Sequence, residues 1–387
     1  MKLSNTLLGL ALVGAGLVHS HKGHKDDHYN HVRYTAVPGY FLQDEPDTDP
    51  ATFNYTEVNF GLINRTYDVD RDPFFKWKAK HMTQWERFYH QVKWLNKHSP
   101  VNVEYKVLFM GRHGEGWHNA AESLYGTPAW NCYWAELNGN GTATWNDVDL
   151  TPEGRQQALT AHRFWQKLID EQRIHTPDRY YVSPLTRCLR TARLTFQDLK
   201  LPKHAAKFQP VVLENLREWI SIHTCDHRSN KTYIESEFPE VRIEPGFTEC
   251  DELWTGVTSE TPDAQDARSL TALDQLWNGD IFSPSPFHHS DQFGRKDDDL
   301  FISITSHSSE IASLLRVLKH REFKLQTGGV IPVLVKAEKF WPPTKVTTEA
   351  WTVDPHCTEP PVTSNTVCVC PSSAAPVTTP LVPTNDC

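Results

Sequence analysis

Between residues 105 and 336 short apolar runs alternate with stretches of helical period, and this alternation limits what the chain can fold into more than any other feature. Tyr105-Lys106-Val107-Leu108-Phe109-Met110, Arg179 to Ser183, Gln209 to Glu214, Leu300-Phe301-Ile302-Ser303-Ile304-Thr305 and Val330 to Lys336 read as strands. The first is mostly apolar, as a strand covered on both faces must be. Thr151 as N-cap and Pro152 at the first helical position open a helix that runs to about Gln172. Pro184 to about Leu199, residues 262–278 and Ser308 to His320 read as further helices. Strand and helix in alternation predict an α/β domain with a largely parallel sheet. Upstream, Trp77, His81, Trp85, Phe88, Tyr89, Val92 and Leu95 recur at helical spacing and predict one helix over 77–97. Residues 127–150, rich in Gly, Asn and Trp, read as a loop excursion.

The two ends differ from this middle. Lys2 precedes a twelve-residue apolar run, Leu7 to Val18, and Val18 and Ser20 are small enough for a cleavage site. The run is shorter than the ~20 residues of a membrane span, so it reads as a secretory signal peptide. The organisation expected is a signal over 1–20, an N-terminal extension with one helix over 21–103, a catalytic domain over 104–340 and a tail over 341–387. The N-glycosylation sequons begin at Asn54, Asn64, Asn140 and Asn230. The product is expected outside the cytoplasm, secreted or associated with a cell wall. His21, His24, His28 and His31 read as a polar terminus, and their spacing does not match a structural zinc site. The tail is rich in Pro, Thr, Val and Ser and buries too little to fold alone. Yet four of the eight cysteines, Cys357, Cys368, Cys370 and Cys387, lie in it. Disulfides are expected to staple it to itself or to the body, and Cys225 and Cys250 are a further candidate pair. Cys188 is read as a buried thiol.

The net charge is −9, which argues against broad binding to nucleic acid or an anionic membrane and leaves room for a local basic pocket. In parallel α/β sheets ligands bind beyond the carboxyl ends of the strands. There the first strand runs into Arg112-His113-Gly114-Glu115, the second ends at Ser183-Pro184-Leu185-Thr186-Arg187, the third ends four residues before Glu218, and the fourth runs into Ser306-His307-Ser308. Arginine forks hold phosphate oxygens. A neutral imidazole can attack phosphorus. A carboxyl group can protonate the leaving oxygen and later accept a proton from water. Helices starting near Asn119, Pro184 and Ser308 would add backbone donors.

Arg112-His113-Gly114-Glu115 with Asn119, then Leu150-Thr151-Pro152-Glu153-Gly154-Arg155, then Ser183-Pro184-Leu185-Thr186-Arg187-Cys188 with Thr191-Ala192, then Ser306-His307, resemble in order the motifs of the histidine phosphatase superfamily. The branch resembled is the phosphoglycerate mutase-like one, in its secreted eukaryotic (fungal-type) form, over about 104–336. The resemblance implies a phosphoglycerate mutase-like three-layer α/β sandwich with a mostly parallel central sheet. It implies His113 as the phosphate-accepting nucleophile. Arg112, Arg187 and His307 would complete the phosphate pocket, with Asn119 lining it and Glu218 as acid and base. Ser308 follows the second histidine where Gly is frequent, and Ser221 likewise stands where Gly is frequent, so the departures concern leaving-group recognition. No cofactor and no metal enter this chemistry, and activity is expected to survive chelation. The partner expected is a small phosphorylated substrate; the oligomeric state is left open.

Three functions compete: a secreted phosphatase of monoesters, a mutase of the phosphoglycerate type, and a non-catalytic surface protein on the same scaffold. Glu115 and Glu214 compete with Glu218 as the acid. Arg190 and Arg193 read as solvated helix positions, His223 as a polar loop residue that could contact substrate, and His288-His289 as a loop pair. His118 forms no zinc-protease pattern with His113.

Overall fold

The computed structural model describes residues 31–277, 299–340, 350–362, 369–371 and 373–384. The proposed signal, His288-His289 and most of the N-terminal histidines lie outside them. The strands are β1 (His31–Ala36), β2 (Val103–Arg112), β3 (Arg179–Val182), β4 (Val211–Val212), β5 (Arg242–Ile243), β6 (Thr258–Ser259), β7 (Phe301–Ser306), β8 (Val330–Phe340) and β9 (Thr352–Val353). The α-helices are α1 (Pro73–Ala79), α2 (Gln84–His98), α3 (Trp117–Tyr125), α4 (Thr127–Cys132), α5 (Pro152–Lys167), α6 (Thr186–Phe196), α7 (Lys231–Glu237), α8 (Pro262–Trp277) and α9 (Ser308–Val317).

Seven strands form one sheet in the order β1-β8-β2-β7-β3-β4-β5. The run from β2 to β5 is parallel, while β8 lies antiparallel to β2 and β1 antiparallel to β8. Side chains alternate across a strand, so β2 feeds two cores. Leu108 and Met110 join Ile302, Ile304 and residues of α8 and α9 on one face. Val107 and Phe109 join Trp85, Phe88, Phe164 and Trp165 of α2 and α5 on the other. The result is the expected three-layer sandwich. No helix among the described residues is long and apolar enough to cross a membrane.

Several expectations need correction. The single helix over 77–97 is two, because Thr83 and Glu86 form a capping box inside the periodic stretch. The Thr83 hydroxyl accepts from Glu86 N–H at 3.2 Å, and the Glu86 carboxylate accepts from Thr83 N–H at 2.8 Å. Trp77, on α1, is 71% exposed and belongs to no core. The loop excursion over 127–150 contains α4 and its own cluster of Trp130, Trp145 and Val148. Arg190 and Arg193 are not merely solvated. α7 and the turn after it bring Glu237 and Glu240 to them at 2.8 and 2.6 Å, with both guanidinium groups over the Phe238 ring. Cys225 does not pair with Cys250: Cys225 is free and buried, and Cys250 is bonded elsewhere. In the tail Cys357 is bonded to Cys370. The tail also touches the body: β9 pairs with β6, and Cys357 N–H donates to the Cys132 carbonyl at 2.8 Å.

Candidate active site

The carboxyl edge of the sheet is assembled by strand register. Arg112, last in β2, pairs with Ser306, last in β7, and His113 N–H donates to the Ser306 carbonyl at 3.0 Å. The two residues that follow these strands, His113 and His307, therefore lie side by side, with ring centroids 5.1 Å apart. β3 continues the edge. Ser183 N–H donates to the Thr305 carbonyl at 3.1 Å, which sets the Ser183 hydroxyl 2.7 Å from His307 Nε2. A turn over Glu214–Leu216 after β4 brings in Glu218, and Ser306 Oγ donates to the Leu216 carbonyl at 2.8 Å.

The loop after β2 is clamped. A Cβ on Gly114 would lie 2.3 Å from the Gly154 carbonyl oxygen, and one on Gly154 would lie 2.0 Å from that of Glu115. Two glycines back to back let the histidine loop press against the start of α5. This explains why the separate motifs at 112–115 and 150–155 belong together. Thr151 fills both roles of a cap and a tether: its hydroxyl accepts from Gly154 N–H at 3.0 Å and donates to the Glu115 carboxylate at 2.7 Å. Gly114 N–H donates to Thr191 Oγ1 at 3.0 Å, which ties α6 to the same loop.

His113 is 1% exposed, and its Nδ1 lies 2.7 Å from the Gly114 carbonyl. A carbonyl can only accept, so Nδ1 carries the proton and Nε2 keeps its lone pair. Burial first, then Arg187 and Arg112, hold this imidazole well below its usual pKa, so it stays neutral. His307 is held neutral in the same way, by burial, Arg187 and His113.

Arg187 is fully buried; its Nη1 donates to the Cys225 carbonyl at 2.7 Å and its Nη2 lies 3.9 Å from Asp226. Arg112 donates from Nη1 to the Leu325 carbonyl at 2.9 Å. In both guanidinium groups Nε–H is buried without an acceptor. Buried donors are rarely left so, and two beside one neutral imidazole ask for an anionic oxygen. Glu218 accepts from Trp219 N–H at 2.9 Å and Ser309 N–H at 3.0 Å. Burial and then Asp226 push its pKa up, against the Trp219 N–H and the two arginines.

A cavity of about 660 Å³ adjoins this site, lined among others by Arg112, Asn119, Arg187, Glu218, Trp219 and His223; His113 and His307 lie behind its lining residues. Asn119 lines it with its side-chain oxygen held by Gly116 N–H at 3.0 Å. The competing acids are occupied elsewhere: Glu115 by Thr151, and Glu214 by Arg217 and Arg228 at 2.9 and 3.0 Å. His223 is more than a polar loop residue, since it lines the cavity and burial pushes its pKa down to about 4.

Sequence reasoning missed His118 as a site residue and most of a set of buried arginines, and it places Asp226 only within the family-like stretch His223-Thr224-Cys225-Asp226, with no role. His118 lines the cavity with its ring 5.4 Å from His113. Its position four residues before Glu122, on the first turn of a helix opening at the sheet edge, was the available signal. Arg217 binds Asp251 at 2.6 Å, and Arg268 binds Glu260 at 2.7 Å and Glu310 at 3.0 Å. Arg268 also donates to the carbonyls of Asn215, Arg217 and Glu218, so it holds the acid loop from behind. His223, Cys225 and Asp226 offer donor atoms within 4.8 Å of one another, a spacing open to a metal ion. Arg187 already faces Asp226 with a positive charge, and burial holds the Cys225 thiol protonated.

The family described as the histidine phosphatase superfamily (branch 1) matches residues 108–280. The chain is 47% identical over 307 residues to a "Probable phosphoglycerate mutase" of Arthroderma benhamiae, covering 79% of this chain and 85% of that one. It is 32% identical to "Phosphomutase-like protein 3" of Candida albicans, covering 80% and 81%. Among solved structures, a phosphoglycerate mutase from Thermus thermophilus is 18% identical, covers 58% of this chain and 91% of that chain, and has a TM-score of 0.30.

Proposed function

This chain belongs to the histidine phosphatase superfamily, branch 1, and from that premise we propose that it hydrolyses phosphate monoesters through a phosphohistidine intermediate on His113. The observation that carries the reading is the pair of buried, acceptor-less Nε–H groups of Arg112 and Arg187 beside an imidazole whose Nε2 is unprotonated. Phosphate oxygens supply the missing acceptors. His113 Nε2 attacks phosphorus, the ester P–O bond breaks, and Glu218 gives its proton to the departing oxygen. The Gly114 carbonyl, accepting from Nδ1, disperses the charge that the ring gains. Water then attacks the phosphohistidine, Glu218 takes its proton, and the P–N bond breaks to release inorganic phosphate and neutral His113. His307, oriented by Ser183, donates to the transferred group in both steps, and Asn119 lines the pocket.

The test is His113→Ala assayed on 4-nitrophenyl phosphate. A loss of at least about 10³-fold is expected, along with acid-labile phosphate on the wild-type chain that the variant cannot trap. Hydrolysis by the variant at the wild-type rate ends the proposal. The names of the fungal relatives favour a second reading, transfer of phosphate within one substrate. A coupled mutase assay run beside phosphate release separates the two.

We further propose that the protein is exported. The N-terminal apolar run, the Cys357–Cys370 disulfide and the exposed sequon residues Asn54, Asn64 and Asn140 support this. Asn230 is less suited to modification, because it is half-buried where the other three are exposed. Secretion from a eukaryotic host with an N-terminus at His21 is expected. Intracellular retention with Met1 in place would count against it.

A further inference from the structure

The cavity of about 660 Å³ falls in the ~300–1,000 Å³ range of sites that enclose whole small molecules, so it takes the leaving group as well as the phosphoryl group. Its charge is not uniform. Arg112 and Arg187 mark one end, and Lys324, next to the Leu325 carbonyl that holds Arg112, belongs with them. The other end is built around His223. The carboxylates of Glu122 and Asp354 both act on this imidazole, and the charge of Glu122 reaches Arg112 as well. His118 lies between, acted on by both arginines and by His223. Behind His223 stands the carboxyl group of Glu136, its Oε1 4.0 Å from His223 Nε2 and without a hydrogen-bond partner. Among the described residues neither Glu122 nor Asp354 is paired with a lysine or arginine. Glu122 accepts only a neutral hydroxyl, that of Thr127, at 2.8 Å.

Aromatic surface lines the same cavity. Trp219 lines the cavity, 38% exposed, and its ring is fixed by Nε1–H donating to the Glu260 carbonyl at 2.7 Å. Trp130 also lines the cavity and meets the His223 ring edge-on at 6.3 Å. Carboxylates and indole rings lining one cavity are surroundings an ammonium group prefers. A carboxylated leaving group would instead face two like charges. Asp354 comes from the tail, held over the cavity by the β6–β9 pair and by the Cys357 tether.

We propose that the leaving group this cavity takes is an amino alcohol, so that the substrate is an amine-bearing phosphomonoester with its ammonium seated between Glu122 and Asp354. The proposal rests on the phosphatase reading above. Four probes test it: 4-nitrophenyl phosphate, O-phosphoethanolamine, glycerol 3-phosphate and 3-phosphoglycerate. The expected order of kcat/KM is O-phosphoethanolamine over glycerol 3-phosphate over 3-phosphoglycerate, with steps of about tenfold, the effect of one partly buried charge pair. In Asp354→Asn the ratio of the first to the second falls about tenfold, chiefly through KM. In Asp354→Lys the preference turns toward 3-phosphoglycerate. Three results overturn the inference: 3-phosphoglycerate turned over as well as glycerol 3-phosphate, a ratio unmoved in Asp354→Asn, or a preference that vanishes with EDTA, which would assign these carboxylates to a metal ion. Failure of the wild type on 4-nitrophenyl phosphate would instead overturn the phosphatase reading itself.

Discussion

Asp226 links the acid of the site to its phosphate-binding arginine. Its Oδ2 accepts from Ser221 Oγ at 2.6 Å, its Oδ1 lies 3.9 Å from Arg187, and its negative charge helps to keep the proton on Glu218. Burial raises Asp226 as well, so the two carboxyl groups oppose each other's ionisation. A leaving oxygen needs Glu218 protonated, so kcat/KM should fall as pH rises through the Glu218 pKa. Asp226→Asn removes the opposing charge, lowers that pKa and should move the alkaline limb about 0.5–1 unit toward acid. An unmoved limb, with the variant folded and active, would reject the coupling. The residues named from sequence sit together because strand ends are legible as places: Arg112, His113, Glu218 and His307 each follow a readable strand. Asp226 and His118 were not legible, since their roles depend on which loop folds over the edge. Ser221 was noticed only as a departure from glycine, and the Asp226 bond gives its hydroxyl a purpose.

At the scale of elements, the acid loop over 215–218 owes its shape to a side chain fifty residues away. Arg268 on α8 places its fork on three loop carbonyls while its charge is met by Glu260 and Glu310. Removing one partner of a buried ion network leaves the others uncompensated, so Arg268→Ala should cost about 3–5 kcal/mol of stability. Lysine restores charge without a planar fork. Arg268→Lys should therefore recover part of the thermal midpoint while kcat stays depressed and KM changes little. Full recovery of kcat by lysine would show that the fork is not what positions Glu218. Helix α5 is readable because its Thr151 cap and its apolar spacing agree. β5 holds two residues, too few for a pattern, while β4 keeps two residues of the strand expected over Gln209 to Glu214. β1 lies in a polar stretch and pairs with β8 from the opposite end of the chain. The capping box at Thr83 was visible in principle, and the longer periodic run concealed it.

Across the whole molecule, buried titratable groups pull stability in opposite directions with pH. The imidazoles of His113, His118 and His307 are held well below the usual value. Their contribution is complete above about pH 6.5 and is lost as pH falls. Glu136 is pushed up to about 9, first by burial. Its folded pKa exceeds the unfolded value of about 4.3, so its contribution is complete below that value and is lost as pH rises toward the folded pKa. It is 2% exposed, no arginine or lysine among the described residues pairs with it, and the neighbouring Asp226 and Asp354 oppose its ionisation. Glutamine keeps its shape and cannot ionise. Glu136→Gln should therefore gain about 1–3 kcal/mol at pH 8 and converge on the wild type near pH 4, where the unfolded carboxyl is itself protonated. Urea midpoints measured from pH 4 to pH 8.5 report the difference. A gap that stays constant with pH would trace the change to packing, and a loss at pH 8 would mean that the carboxylate is paired in the fold.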